Sequence, residues 1–229
     1  MSEDIKKIIK EKSDKGVLRL VMNNLDYKNA LSKKMMGMLE DEIKAASSDK
    51  STRVIVLAAK GNVFCSGHDL KEITAARENK DSGEEFYQDL FDSCSALMQL
   101  IVNTPQPIIA EVDGVATAAG CQLVASCDLA IASNESRFAT PGVNLGLFCS
   151  TPMVALSRNV NKKNAMEMLL TGDFIDASKA KEIGLINNLV QKEELTLEVT
   201  KLAEKIASKS SMTVSTGKQA FYAQAEMDL

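Results

Sequence analysis

Phe64-Cys65-Ser66-Gly67-His68-Asp69-Leu70 reads as the end of a strand, a tight turn at Ser66-Gly67 and the start of a helix. The same pattern returns at Thr117-Ala118-Ala119-Gly120-Cys121-Gln122-Leu123. A helix that starts straight out of a turn leaves its first backbone N–H groups without partners. Two such starts, if they face each other, make a two-donor cradle for a developing oxyanion. Either glycine alone is explained by close helix–strand packing. Together, with the small neighbours Ser66 and Ala119, they mark a place where a flat ligand can approach the backbone. No carboxylate stands at Gln122 or in Phe138-Ala139-Thr140-Pro141-Gly142, so the polarising device comes without the usual acid and base.

Outward from these turns the chain alternates short apolar strands with helices. Residues 4–12 and 16–23 alternate loosely about Ser13-Asp14-Lys15-Gly16 and predict a β-hairpin. Ser32 is placed to cap a helix over 33–47, where Met35, Met36, Leu39, Ile43 and Ala46 recur at helical spacing. Arg53–Ala59 is a continuous apolar run, expected of a strand buried on both faces. A long amphipathic helix follows from Glu85 to Asn103, stopped by Pro105 and Pro107. Ile108–Val112 is a strand, Gly114 a turn, 118–126 a helix of small residues, and Asp128–Ala132 a further buried strand. Helices are expected near 151–158, 162–170 and 177–183, the last ended by Gly184, and a helical pattern runs from 192 to Phe221. Glu78–Glu85 reads as a mobile loop. Repeated ββα units imply an α/β fold whose strands wind on themselves. We divide the chain into a core over 1–190 and the beginning of a helical region over 191–229.

Composition narrows the function classes. The 229 residues suit one domain with a helical appendage, and 45% hydrophobic with 25% charged residues is ordinary for a globular protein. A net charge of −4 argues against a nucleic-acid footprint. Lysine clusters at Lys6-Lys7, Lys10–Lys12, Lys33-Lys34 and Lys162-Lys163 read first as solvated faces, although a phosphate-bearing ligand could use one. Five cysteines in apolar surroundings fit buried thiols rather than a disulfide framework. With one histidine and no C-x-x-C spacing, no metal site is expected. No apolar run is long enough to span a membrane, and the first residues resemble neither a secretory signal nor a transit peptide.

His68, the only histidine, lies inside the first turn. Its backbone N–H could serve as an oxyanion donor whatever the ring does, and acid/base work by the imidazole suits its near-neutral reference pKa. Asp69 and Glu72 fall in the first helical turn, where acids interact well with the helix dipole.

These segments resemble the crotonase (enoyl-CoA hydratase/isomerase) superfamily from about residue 5 to the end of the chain. The resemblance is carried by Asn29-Ala30-Leu31-Ser32, Phe64–Glu72, Pro107–Gly114, Ala118–Leu123 with Cys127-Asp128, Phe138–Pro141 with Asn144–Leu147, and Leu170-Thr171-Gly172. The wording of Ala118–Cys127 and Phe138–Pro152 is most similar to the subgroup of enoyl-CoA hydratase domain-containing protein 3. The resemblance implies a crotonase-like ββα spiral with a C-terminal helical region, an acyl-CoA ligand that is substrate rather than cofactor, and trimers or hexamers. It implies an oxyanion hole from the N–H groups of His68 and Ala119. It further implies a CoA strip along Lys28–Ala30 and Ser66, Gly67, His68, Asp69 and Leu70, with Gly120 against the substrate. The role implied is in fatty-acid or short-chain acyl-CoA metabolism.

Two departures bear on mechanism. Hydratases of this family carry one glutamate after the Gly-Cys pair and another after the proline that follows Phe-x-x; here those positions hold Gln122 and Gly142. Gln122 can hold a water but cannot take its proton, so hydration by a glutamate pair is not expected. Decarboxylation of a malonyl-type thioester needs only an enolate stabiliser, and the Ser-Gly-His-Asp turn also resembles methylmalonyl-CoA decarboxylases, although their tyrosine near the Cys149 position is absent. Thioester hydrolysis and a non-catalytic acyl-CoA-binding scaffold complete the alternatives. Family members continue into further terminal helices beyond Gly217–Tyr222, so a shortened C-terminus is expected. A cytoplasmic location fits the N-terminus, or the mitochondrial matrix for a processed protein.

Overall fold

The computed structural model describes residues 6–228, so the first residues of the predicted opening strand lie outside the described part. Strand β1 (Ile8–Lys12) pairs antiparallel with β2 (Val17–Met22), as the hairpin reading predicts. A 3₁₀ turn at Leu25–Tyr27 leads to helix α1 (Lys33–Ser48), and the Ser32 hydroxyl accepts from Met35 N as its cap. Then come β3 (Val54–Ala59), β4 (Val63–Cys65), α2 (Leu70–Ala76) and α3 (Glu84–Asn103). The next turn of the spiral is β5 (Ile108–Val112), β6 (Val115–Thr117) and α4 (Ala119–Ser126). The third is β7 (Leu129–Ser133), β8 (Arg137–Ala139), a 3₁₀ helix at Pro141–Leu145, α5 (Ser150–Asn159) and α6 (Lys162–Thr171). The chain continues through β9 (Ile175–Asp176), α7 (Ala177–Glu182), β10 (Asn188–Val190), α8 (Leu195–Ala207) and α9 (Ser211–Ala225).

Each spiral turn gives one strand to each of two sheets. The larger sheet has the order β1-β2-β3-β5-β7-β10 and the smaller one β4-β6-β8-β9. Corners stack directly: Val115 N donates to Asn62 O, and Arg137 N to Gly114 O, both at 3.2 Å. Gly114 (φ +84°) is obligatory, since a Cβ there would meet Asn62 O at 2.0 Å.

The apolar run of β3 is continuous because both of its faces are covered. Ile55 and Leu57 join the main core with α1, α3 and α4, while Val54 and Val56 pack on the opposite side with Leu195, Val199 and Ala203 of α8. A buried network ties α8 to the sheet: Arg19 pairs with Glu111, Thr196 Oγ1 donates to Glu111 Oε1 at 2.8 Å, and an Arg19 N–H reaches Thr200 Oγ1 at 3.2 Å.

Two features differ from the sequence reading. The helical stretch after 192 is two helices, broken at 208–210, where the Ser210 hydroxyl opens α9 by accepting from Thr213 N. Residues 78–83 are a run of turns organised by Asp81, whose carboxylate accepts from Gly83 N and Glu85 N, and Glu84 and Glu85 already belong to α3.

Candidate active site

The two glycine turns do face each other. Gly67 has φ +91°, and a Cβ on it would lie 2.9 Å from Ala118 Cβ and 3.4 Å from Ala119 N. Thr117 Oγ1 donates to Ser66 O at 3.1 Å, a direct tie between the turns. Gly120 sits so close beneath β4 that a Cβ would meet Cys65 O at 2.2 Å.

The first turn is held from behind by 28–31. Ser66 N donates to Lys28 O (3.2 Å) and Leu31 N to Gly67 O (2.8 Å). Asn29, almost fully buried, braces this support: its side-chain amide donates to Lys60 O and Val63 O while its oxygen accepts from Asn24 N. Lys28 and Asn29 both have positive φ. The second turn is held by Ala118 N donating to Ala139 O at 2.9 Å. Ala118 itself has φ +50° and ψ −120°, a strained conformation for a residue with a Cβ. Among the described residues neither His68 N nor Ala119 N donates to a protein acceptor. Two free N–H groups on rigidly braced, adjacent turns are what charge stabilisation on a carbonyl oxygen requires.

Around this cradle stand the other residues singled out from sequence. Asp69 caps α2 by accepting from Lys71 N, and Glu72 accepts from Lys33 N at the start of α1; neither carboxylate is in the cradle. Leu70 is exposed, and Ala30 is buried behind the turn. Tyr27 lies between Lys7 and Lys71, whose ammonium groups sit 5.7 and 5.0 Å from its ring centre. Gln122 is buried on the α3 side of α4, where Cys94 Sγ donates to its Oε1 at 3.8 Å. Gly142 lies in the 3₁₀ helix after β8 and donates its N–H to Cys149 Sγ at 3.3 Å.

His68 points its ring toward α3, edge-on to Phe91 at 5.8 Å between centroids. Its Nδ1 lies 3.3 Å from Leu31 O, which fixes the proton on Nδ1. Nε2 is buried without a partner. Burial lowers the ring's pKa below the usual value, only partly offset by the Leu31 carbonyl, so the imidazole is neutral. Phe91 and Cys94 are three residues apart on one face of α3, so the His68 ring and the Gln122 amide flank the same wall.

Sequence reading missed these α3 partners, together with Cys149 and the Thr117 hydroxyl. The helical periodicity marks Cys94 only as core. Burial pushes the Cys65, Cys94 and Cys121 thiols up to about 12 and raises that of Cys149, so all are protonated near neutrality. Among the described residues no group of three His, Cys, Asp or Glu side chains converges to hold a metal ion.

Comparison with known proteins identifies the family. The enoyl-CoA hydratase/isomerase family model matches residues 12–229. The rat protein named enoyl-CoA hydratase domain-containing protein 3, mitochondrial, is 50% identical over 214 residues, covering 93% of this chain and 70% of the relative. An Escherichia coli 2,3-dehydroadipyl-CoA hydratase is 32% identical over 215 residues, 93% of this chain and 81% of its own. The crystal structure of human enoyl-CoA hydratase domain-containing protein 3 superposes with a TM-score of 0.92 at 46% identity, over 98% of this chain and 86% of that one. A Mycobacterium smegmatis enoyl-CoA hydratase structure gives 0.92 at 45% identity, over 97% and 85%. With its crotonase-type spiral and the match running almost end to end, the chain belongs to the enoyl-CoA hydratase/isomerase family, in the subgroup of domain-containing protein 3.

Proposed function

We propose that the protein binds an acyl-CoA thioester and stabilises its enolate between the backbone N–H groups of His68 and Ala119. The observation that carries this reading is the pair of unpartnered N–H groups on two turns braced against each other at Gly67 and Thr117. Each such donor contributes roughly 3 kcal/mol to an enolate-like transition state. Lys7, Lys28 and Lys71 around Tyr27 supply positive charge for the phosphates of the CoA moiety, with the 28–30 and 66–70 segments along its length.

The chemistry that follows is set by what Gln122 and Gly142 lack. Neither accepts a proton from water, so hydration by two glutamates is not the activity of this site. Loss of carbon dioxide from a malonyl-type thioester is the second reading. The bond to the carboxylate breaks, carbon dioxide leaves, the electron pair becomes the enolate held in the cradle, and the α-carbon then takes a proton from solvent, so no base is needed. The absence of a carboxylate from the cradle favours it, since a nearby anion would repel the substrate's own. A scaffold that binds acyl-CoA without turning it over is the remaining reading.

The assembly we propose is a trimer or paired trimers. Exposed apolar side chains at Leu145, Leu147, Phe148 and Leu170 offer surface for it, and light scattering of the purified protein tests it. The relatives of this subgroup are named mitochondrial, and a matrix location fits the reading. No helix among the described residues is long and apolar enough to cross a membrane.

Thermal unfolding with acyl-, enoyl- and malonyl-type CoA thioesters, against free CoA, is the deciding experiment. A ligand that binds only the folded state must raise the melting temperature. Stabilisation by one class names the substrate, and carbon dioxide release from methylmalonyl-CoA identifies the decarboxylase. No stabilisation by any ester would end the acyl-CoA reading.

A further inference from the structure

Each N–H of the cradle lies in a peptide plane whose carbonyl is already pinned. His68 N shares its peptide with Gly67 O, which accepts from Leu31 N at 2.8 Å. Ala119 N shares its peptide with Ala118 O, which accepts from Gln122 N at 3.0 Å. A trans peptide is planar, with its N–H directed opposite to its C=O, so a fixed carbonyl fixes the direction of the N–H beside it. Neither bond sets the distance from one donor to the other, because each stays within its own half of the cradle.

That distance depends on what crosses between the halves. The ladder of β4 and β6 ends with Cys65 opposite Ala116, after a register shift. Beyond that pair, among the described residues, no turn or loop backbone hydrogen bond joins 66–68 to 118–120. One side chain does cross: Thr117 Oγ1 donates to Ser66 O at 3.1 Å. Thr117 is the last residue of β6 and is 9% exposed. Packing alone does not call for a hydroxyl there. Its β6 and β8 neighbours Ala116, Phe138 and Ala139 are apolar and fully buried, and valine has the same shape and an equal preference for strands.

Ala118 makes the tie matter. It stands between Thr117 and the Ala119 donor at φ +50° and ψ −120°, a conformation that a residue with a Cβ keeps only when its surroundings hold it. Relaxation there would turn the Ala118–Ala119 peptide and swing the Ala119 N–H with it. The bond from Ala118 N to Ala139 O holds the strained residue from one side, and the Thr117 hydroxyl holds the residue before it against the first turn.

We propose that Thr117 is a positioning residue of the cradle: its hydroxyl sets the spacing of the His68 and Ala119 N–H groups, and through them the polarisation of a bound thioester carbonyl. The inference rests on the acyl-thioester reading. Thr117 acts through the backbone of both turns, so its loss leaves the affinity for free CoA unchanged.

The test is isotope-edited infrared spectroscopy of the thioester carbonyl of bound acetyl-CoA, with free-CoA affinity and melting temperature measured alongside. Acetyl is a short acyl group and makes little demand on chain length. In the wild type the stretching frequency should fall on binding, as two donors polarise the carbonyl. Thr117→Val should lose about half or more of that fall, with one donor out of line, and keep its affinity for free CoA. Thr117→Ser, which retains the hydroxyl, should restore the fall. A merely structural threonine would move the melting temperature and leave the frequency alone. If the valine variant does not fold, Thr117→Ala makes the same comparison with Thr117→Ser. A fall retained in full without the hydroxyl overturns the proposal and leaves the cradle standing, and so does an equal loss in the serine and valine variants. No fall in the wild type overturns the acyl-thioester reading and the proposal with it.

Discussion

Gln122 and Gly142, which the family resemblance sets at the two expected glutamate positions of a hydratase, are not equivalent as residues. Gln122 is a near isostere of glutamate in a formed, buried slot beside Cys94. At Gly142 a Cβ would lie 2.6 Å from Leu147 O and 2.8 Å from Cys149 Sγ, so the local chain has closed over the missing side chain. Gln122→Glu should therefore fold, with a carboxyl whose pKa burial raises. Gly142→Glu should lose about 1–3 kcal/mol or more in urea unfolding, as overpacked sites do. A Gly142→Glu protein as stable as its parent would contradict this closure. His68 gives a second prediction at this scale. Its folded pKa lies below the reference of 6.5, so the unfolded chain takes up the proton first. Stability should be level above about pH 7.5 and fall as the pH drops through 6.5 toward the folded value. No other histidine exists to share that window. Denaturant titrations at about pH 5.5 and 7.5 should show the loss in the parent and not in His68→Gln; the same loss in both would assign it to another group.

Among the elements, α9 is attached in an unusual way: it buries no apolar side chain, and only the side chain of Lys218 is largely covered. Its hold on the core is polar. Lys218 Nζ donates to Ile101 O (3.0 Å), Gln106 O (3.1 Å) and Asp128 Oδ2 (2.8 Å), and Tyr222 OH donates to Asp128 Oδ1 (2.9 Å). The cation thus sits against the last turn of α3 and the residues that follow α4. Lys218→Met removes the one cation from Asp128 and leaves it Tyr222 OH and Ile108 N as partners, and breaking a buried pair costs about 3 kcal/mol. Hydrogen exchange should show α9 losing protection in that variant while β3 and β5 keep theirs. Uniform loss across the sheet would mean that α9 is no separate unit. This anchor was not legible in the sequence, because its partners lie 90 residues apart and neither carries a local pattern. What was legible follows the same logic. Helices α1 and α3 show one-sided periodicity because one face is buried, and β3 reads as a continuous run because two faces are. Strands of two or three residues, such as β8 and β9, are too short to show any period. The α8–α9 break carries only serine and lysine, which do not punctuate a helix as glycine or proline does. The cradle could be read because Gly67 and Gly120 answer backbone demands that no other residue meets, whereas the contacts of Gln122 with Cys94 and of His68 with Leu31 exist only once the chain is folded.

At the scale of the whole molecule the thiols set a limit on alkaline stability. Burial holds Cys65, Cys94 and Cys121 at about 12, against 9.0 for a free thiol. Above pH 9 the unfolded chain therefore releases protons that the folded one keeps, and stability falls as pH rises. Each such thiol contributes a slope of about 1.4 kcal/mol per pH unit once ionised in the unfolded state. Tyr222, raised first by burial and then by Asp128, adds the same sign above its reference of 10.0. Lys218 opposes them: burial lowers its pKa, so the folded state gives up its proton early and gains relative stability up to the reference of 10.5. One lysine does not offset three thiols. Against a total stability of about 5–15 kcal/mol, cooperative unfolding is expected within roughly two to three pH units above the thiol reference. Thiolate absorbance should then appear together with the loss of far-ultraviolet circular dichroism, and Cys94→Ala should reduce the proton release by about one. Thiolate forming near pH 9 in a still-folded protein would show that these side chains reach solvent. It would also reopen the cysteines around the cradle as nucleophiles. If instead ionisation waits for unfolding, the thiol beside Gln122 is a neutral S–H donor throughout the folded range, and the enolate we propose would have only backbone N–H groups and the neutral His68 ring around it.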